Sequence, residues 1–153
     1  MNSPVADTQS VREFQENQYC DTISISALRK VTGFSRQMDT NCSNSATSSP
    51  FIWSGTYTIQ SGKREDVVSA LTDFAPQVGE SEPDTWSYLV FESLDDGDEN
   101  TLYLWELYAN ENGLREVHVK SDAAANLKAK IGHLLIGRSL CGYRRISTKN
   151  SRG

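Results

Sequence analysis

The sequence predicts an α+β domain over residues 51–147, in the order strand, helix, strand, strand, helix, strand. That order folds into a four-stranded antiparallel sheet with both helices on one face. Three features carry the expectation. Aromatic and β-branched runs alternate with amphipathic ones after residue 50, Gly and Pro fall at the joins, and the strands are apolar on both faces.

The first element, Phe51–Ile59 (FIWSGTYTI), is rich in the residues that suit a pleated surface. Ser61-Gly62 marks a turn. From Lys63 onward Val67, Val68, Leu71, Phe74, Ala75 and Val78 recur at three- and four-residue steps, the signature of one amphipathic helix. Gly79 is expected to end it, and Pro83 blocks its continuation. Trp86–Glu92 and Thr101–Tyr108 read as two strands of a hairpin, joined by the turn-forming Asp95-Asp96-Gly97-Asp98. Asn110 can cap a helix running to about Val119, with Leu114 and Val117 on one face. Ser121-Asp122 then starts a further helical stretch through Ala123–Ile131. The last strand is expected within Arg138–Ile146, followed by a flexible tail at 148–153.

Upstream lies a different composition. Residues 1–50 read as an arm and linker, partly disordered, with Asp39–Pro50 almost devoid of apolar side chains. Thr22–Phe34 has apolar content enough for a short strand or helix but no clean period. The net charge of -5 argues against a nucleic-acid partner, since phosphate contacts need clustered Lys and Arg. No apolar run reaches the ~20 residues of a membrane helix, and Met1–Ser10 lacks the basic start and apolar stretch of a secretory signal. The expected compartment is the cytoplasm, where the scattered Cys20, Cys42 and Cys141 would stay reduced.

Strands that are apolar at both parities need cover on both faces. Tyr103, Trp105 and Leu107 fall on one side of the third strand, Leu102 and Leu104 on the other. A one-sided antiparallel sheet would alternate apolar with polar residues. Face-to-face pairing with a second copy would bury the excess; the alternative is that the N-terminal arm covers it.

Several motifs now fall into one layout. Ser61-Gly62-Lys63 leads into the first helix, and Ser81-Glu82-Pro83-Asp84-Thr85 precedes the second strand. Trp105-Glu106 lies on the third strand, with His118 and then Ser121 beyond it. This layout, over about residues 53–146, resembles the antibiotic biosynthesis monooxygenase (ABM) domain family, whose ferredoxin-like domains form dimeric α/β barrels. The resemblance implies a homodimer acting on a small-molecule substrate. It implies oxidation of an aromatic or polyketide-type metabolite in secondary metabolism by molecular oxygen as co-substrate, with no flavin, haem or metal cofactor. Other members of the family degrade haem, isomerise small metabolites or have no known activity, so the fold alone leaves the reaction open. Haem-degrading members carry a His further along the helix after a Lys-Ser-Asp-like step; here Lys120-Ser121-Asp122 is followed by three alanines, so the resemblance does not extend to haem chemistry.

On this reading His118 is the candidate catalytic base, because a neutral imidazole exchanges protons near pH 7. It could equally serve as an internal hydrogen-bonding group. Trp105 would form an aromatic wall with a donor N–H in the pocket between sheet and helices, or else fill the core. Tyr57, Trp86, Tyr88 and Tyr103 are candidates for binding a flat substrate, with core or interface packing as the alternative. His133 and Arg138 could close the pocket mouth or bind an anionic group, or be solvated. Two histidines and three scattered cysteines form no metal-ligand cluster, Glu92–Glu99 lacks calcium-loop spacing, and neither a phosphate loop nor a serine-hydrolase elbow is present. A non-redox isomerase, cyclase or dehydratase, or a binding module without catalysis, would fit the same residues.

Overall fold

A computed structural model of the chain describes residues 27–36, 50–95 and 97–144. In chain order it contains β1 (Leu28–Ser35), β2 (Phe51–Ile59), α1 (Arg64–Ser81), β3 (Thr85–Ser93), β4 (Thr101–Tyr108), a π-helical turn (Gly113–His118), α2 (Asp122–Ile131), a 3-10 turn (Gly132–Leu134) and β5 (Leu135–Arg144). The strands form a single sheet in the order β1-β3-β4-β2-β5, with every neighbouring pair antiparallel. Setting β1 aside, this is the expected strand–helix–strand–strand–helix–strand arrangement. The helices lie on one face. No helix among the described residues is long and apolar enough to cross a membrane.

The apolar stripe of α1 does the main packing. Val67, Leu71, Phe74 and Val78 are buried against Ile59, Tyr88, Val90 and Leu102 of the sheet, and Ile131 and Leu134 close the cluster. Each such fully buried side chain contributes about 1.5–3 kcal/mol. The helix runs past Gly79 to Ser81 instead of ending at the glycine. A Cβ at Gly79 would sit 3.4 Å from the Phe34 ring, so the glycine marks where β1 packs and not where the helix stops.

β1 adds a fifth strand to the sheet. Of the two options for the apolar stretch within 22–34, a short strand or a helix, the described residues take the strand, which makes the sheet one strand wider than expected. The apolar residues of β1 show no period for a physical reason. The register shifts between Lys30 and Thr32, and Gly33 has φ 111°, so Val31 and Phe34 both reach the core although they are not two residues apart. At Gly33 a Cβ would lie 2.0 Å from the Tyr88 carbonyl oxygen, which only glycine avoids. The expected linker at 39–49, the tail at 148–153 and most of the N-terminal arm lie outside the described residues.

The chain after β4 departs from the expected helix as well. Asn110 caps through Oδ1, which accepts from the Gly113 amide at 3.1 Å. The turn that follows is wide: the Val119 amide donates to Leu114 O at 2.9 Å, an i→i+5 bond. Leu114 and His118 are thereby both turned inward, while Val117, expected beside Leu114, is exposed. The regular helix is α2, whose N-cap Ser121 accepts from the Ala124 amide at 3.1 Å.

Along β4 the faces separate cleanly. Leu102, Leu104, Glu106 and Tyr108 are buried beneath the helices, whereas Tyr103, Trp105 and Leu107 face the other way. Cross-strand partners share a face, so Ile52, Leu89, Phe91 and Tyr143 join this second apolar surface. Among the described residues no element covers it, and Trp105 is 41% exposed.

Candidate active site

A cavity of about 310 Å³ opens between the sheet and the π-turn–α2 segment. Its walls include Trp53, Tyr57, Phe74, Tyr88, Leu114 and Leu127, and its polar groups are Glu106, His118, Lys128 and Arg138. An apolar, aromatic cleft with a few convergent polar groups is the usual form of a small-molecule site.

Each ionisable group is placed by a different element. Glu82 follows the last turn of α1, where burial leaves it 1% exposed. Its Oε2 accepts from Thr85 Oγ1 at 2.9 Å and pairs with His118 Nδ1 at 2.8 Å. Its Oε1 is buried without a partner among the described residues. His118 is delivered by the π turn and wedged among aromatic rings, with Phe74, Tyr108 and Tyr88 centroids at 5.6, 5.7 and 5.9 Å. Since Nδ1 is taken by Glu82, Nε2 is the nitrogen left for the cavity. Glu106 points inward from β4, 4% exposed, and its Oε2 accepts from Tyr108 Oη at 2.6 Å.

The electrostatics follow from this crowding. Burial pulls the imidazolium of His118 down, but the Glu82 hydrogen bond and the charges of Glu106 and Glu82 together outweigh it, so its pKa is raised. Burial pushes the Glu106 carboxyl up; the His118 charge and the Tyr108 hydroxyl offset only part of that. Tyr57 is pushed up to about 12, first by burial and then by the Glu106 charge, with Arg138 acting in the opposite sense. Tyr88 and Tyr108 are raised chiefly by burial and stay as phenols. The arrangement brings a histidine and a carboxyl, both with raised proton affinity, to one aromatic cavity. Perturbed titratable groups that converge on one cavity mark a candidate site of proton transfer.

The structure sorts the expected residues into two groups. Tyr57, Tyr88 and His118 line the cavity. Trp105 and Tyr103 do not: both stand on the opposite face of the sheet, where Tyr103 Oη donates to Asp98 Oδ2 at 2.6 Å. Trp105, expected as a wall between sheet and helices, is therefore corrected to an outward position. Trp86 is half-buried on β3 and is not among the cavity's lining residues. Arg138 does reach the cavity, whereas His133 is exposed outside its lining. Glu82, hydrogen-bonded to Nδ1, raises the proton affinity of the expected imidazole. Sequence reasoning missed Glu82, Glu106 and Tyr108 as site groups. The available signal was polar: Glu106 and Tyr108 share strand parity with Leu102 and Leu104.

No protein-family model matches the chain, and no curated protein matches it in sequence. Solved structures do. A candidate antibiotic biosynthesis monooxygenase from Caulobacter crescentus superposes with TM-score 0.58 at 20% identity, covering 65% of this chain and 92% of that one. A Mycobacterium tuberculosis protein gives TM-score 0.57 at 20% identity, over 66% of this chain and 99% of that one. A candidate monooxygenase from Lactobacillus acidophilus gives 0.59 at 14% identity over 78% of this chain, which spans half the length of that protein. The chain thus has the ferredoxin-like α+β fold of structures described as antibiotic biosynthesis monooxygenases, in agreement with the resemblance seen in its motifs.

Proposed function

We propose that the chain is a cofactor-independent oxygenase for a small aromatic or polyketide-type metabolite, working in the cytoplasm as a homodimer. The observation that carries the reading is the placement of Glu106 and the His118–Glu82 pair on one aromatic cavity. A cavity walled by Trp53, Tyr57, Phe74 and Tyr88 suits a flat ring system. Glu106 accepts a proton from an acidic C–H or O–H of the substrate, and the raised proton affinity of its carboxyl suits that task. The His118 imidazolium, held by Glu82, donates from Nε2 to the substrate oxygen on which negative charge collects. The resulting anion is electron-rich and passes electrons directly to oxygen. For a methylene flanked by aryl rings, the balance is a hydroperoxide formed from the anion, O2 and one proton, which then loses water to leave a ketone. One oxygen atom enters the product and one leaves as water.

The apolar surface around Trp105 supports the homodimer, since two such faces in contact would bury Leu89, Phe91, Tyr103 and Leu107. Anthrone and hydroquinone substrates supplied under oxygen-18 gas test the chemistry. Label in the ketone supports oxygenation. Turnover without oxygen uptake would instead assign the same proton-transfer groups to an isomerase or cyclase.

A further inference from the structure

The cavity is polarised along its depth. Glu106 and His118 sit buried at its inner end, while Lys128 from α2 and Arg138 from β5 line it as exposed residues from opposite walls. Arg138 is the register partner of Tyr57 across β2 and β5, so it stands on the cavity face, and its charge is felt at the Tyr57 phenol. Among the described residues Lys128 and Arg138, like Lys30, Arg36 and Lys130, have no carboxylate within salt-bridge distance, but these two alone of the five line the cavity. A lysine in the last turn of α2 is explained by the helix dipole alone. That does not explain a second cation across the cavity from it, on a chain of net charge -5 that repels anions overall.

We propose that this mouth selects substrates carrying an ionised acid group, which Arg138 and Lys128 hold while the ring system extends inward to Glu106 and His118. The inference rests on the cavity being the substrate site. It narrows the substrate class to aromatic acids with a phenolic or C–H acid at the end remote from the ionised group. Arg138 supplies a planar donor fork for the acid oxygens, and Lys128 supplies a point charge. Both are specificity residues, with no part in proton transfer.

Two probes of matched ring system test it: 2-naphthol, which is neutral, and 6-hydroxy-2-naphthoate, which adds the carboxylate opposite the hydroxyl. Binding is measured by calorimetry on the full chain and on Arg138→Gln and Lys128→Gln, both at exposed positions, with circular dichroism to check folding. The expected result is that the wild type binds the naphthoate about tenfold more tightly than the naphthol, as expected for one or two charge-assisted contacts. Each substitution should remove roughly threefold to fivefold of that preference and leave naphthol binding within about twofold. The preference should also shrink with added salt. Equal binding of the two probes, or a preference that survives both substitutions, overturns acid selection while leaving the aromatic cavity intact. Failure of both probes to bind counts against the cavity as an aromatic site, and failure of the naphthoate alone overturns acid selection.

Discussion

Replacing His118 with leucine removes one partner of a buried ion pair and leaves the other in place. Glu82 has a side chain only 2% exposed, and solvent cannot compensate it. Its Oε2 would keep the Thr85 hydroxyl, and among the described residues Oε1 has no partner to begin with. Breaking a buried pair from one side costs about 3–5 kcal/mol, which for a domain of this size lowers the melting temperature by roughly 12–20 °C. The sign of the pH dependence follows from the raised His118 pKa. A raised folded-state value stabilises fully below the unfolded value of about 6.5 and loses that contribution as pH rises through the folded value. The deficit of His118→Leu should therefore be larger at about pH 6 than well above the folded-state pKa. Urea unfolding at fixed protein concentration, followed by circular dichroism, measures both. Adding Glu82→Gln should recover part of the loss, because the stranded charge is gone. A single-variant cost below about 1 kcal/mol, or a double variant equal to the sum of the singles, would refute the buried pair.

Three further outcomes follow from the geometry. Trp105→Lys places a charge on the open sheet face and should leave the fold intact while converting a dimer to monomer in sedimentation equilibrium; an unchanged assembly would locate the interface elsewhere. Gly55→Ala puts a Cβ 1.9 Å from the Ser139 carbonyl oxygen, in the middle of the β2–β5 pairing. It should cost at least about 2–3 kcal/mol in urea unfolding, where an exposed strand glycine would lose nothing. Glu106→Gln should be as stable as the wild type or more so at alkaline pH. The raised Glu106 pKa favours the fold below the unfolded carboxyl value, and that advantage is lost as pH rises through the folded value. Lower stability of the glutamine variant at about pH 8 would contradict it.

Much of the fold was legible because local and tertiary demands agree in it. The stripe Val67–Leu71–Phe74–Val78 and the hairpin at Asp95–Asp98 read directly. β1 reads only as a short strand or helix, because a bulge and a positive φ at Gly33 erase its alternation. The site was harder. Period-2 alternation separates Leu102, Leu104, Glu106 and Tyr108 from Tyr103, Trp105 and Leu107, but it does not say which set meets the helices. Nothing in the alternation itself sets Trp105 on one face or the other, and the structure turns it away from the helices. His118 was found, yet its state depends on Glu82, 36 residues upstream and joined to it only by the fold. A π turn leaves no period of its own, so nothing local announced that His118 would be turned inward.

The most direct test of Glu106 as proton acceptor separates proton transfer from oxygen chemistry. Anthrone incubated in deuterium oxide under anaerobic conditions exchanges its methylene protons when a base removes and returns them, with no oxygen consumed. Followed by proton NMR, the wild-type protein should accelerate that exchange over buffer, and Glu106→Gln should lose about 10²–10⁴-fold of the acceleration. Exchange at the buffer rate with the wild type, or undiminished exchange with Glu106→Gln, would contradict it.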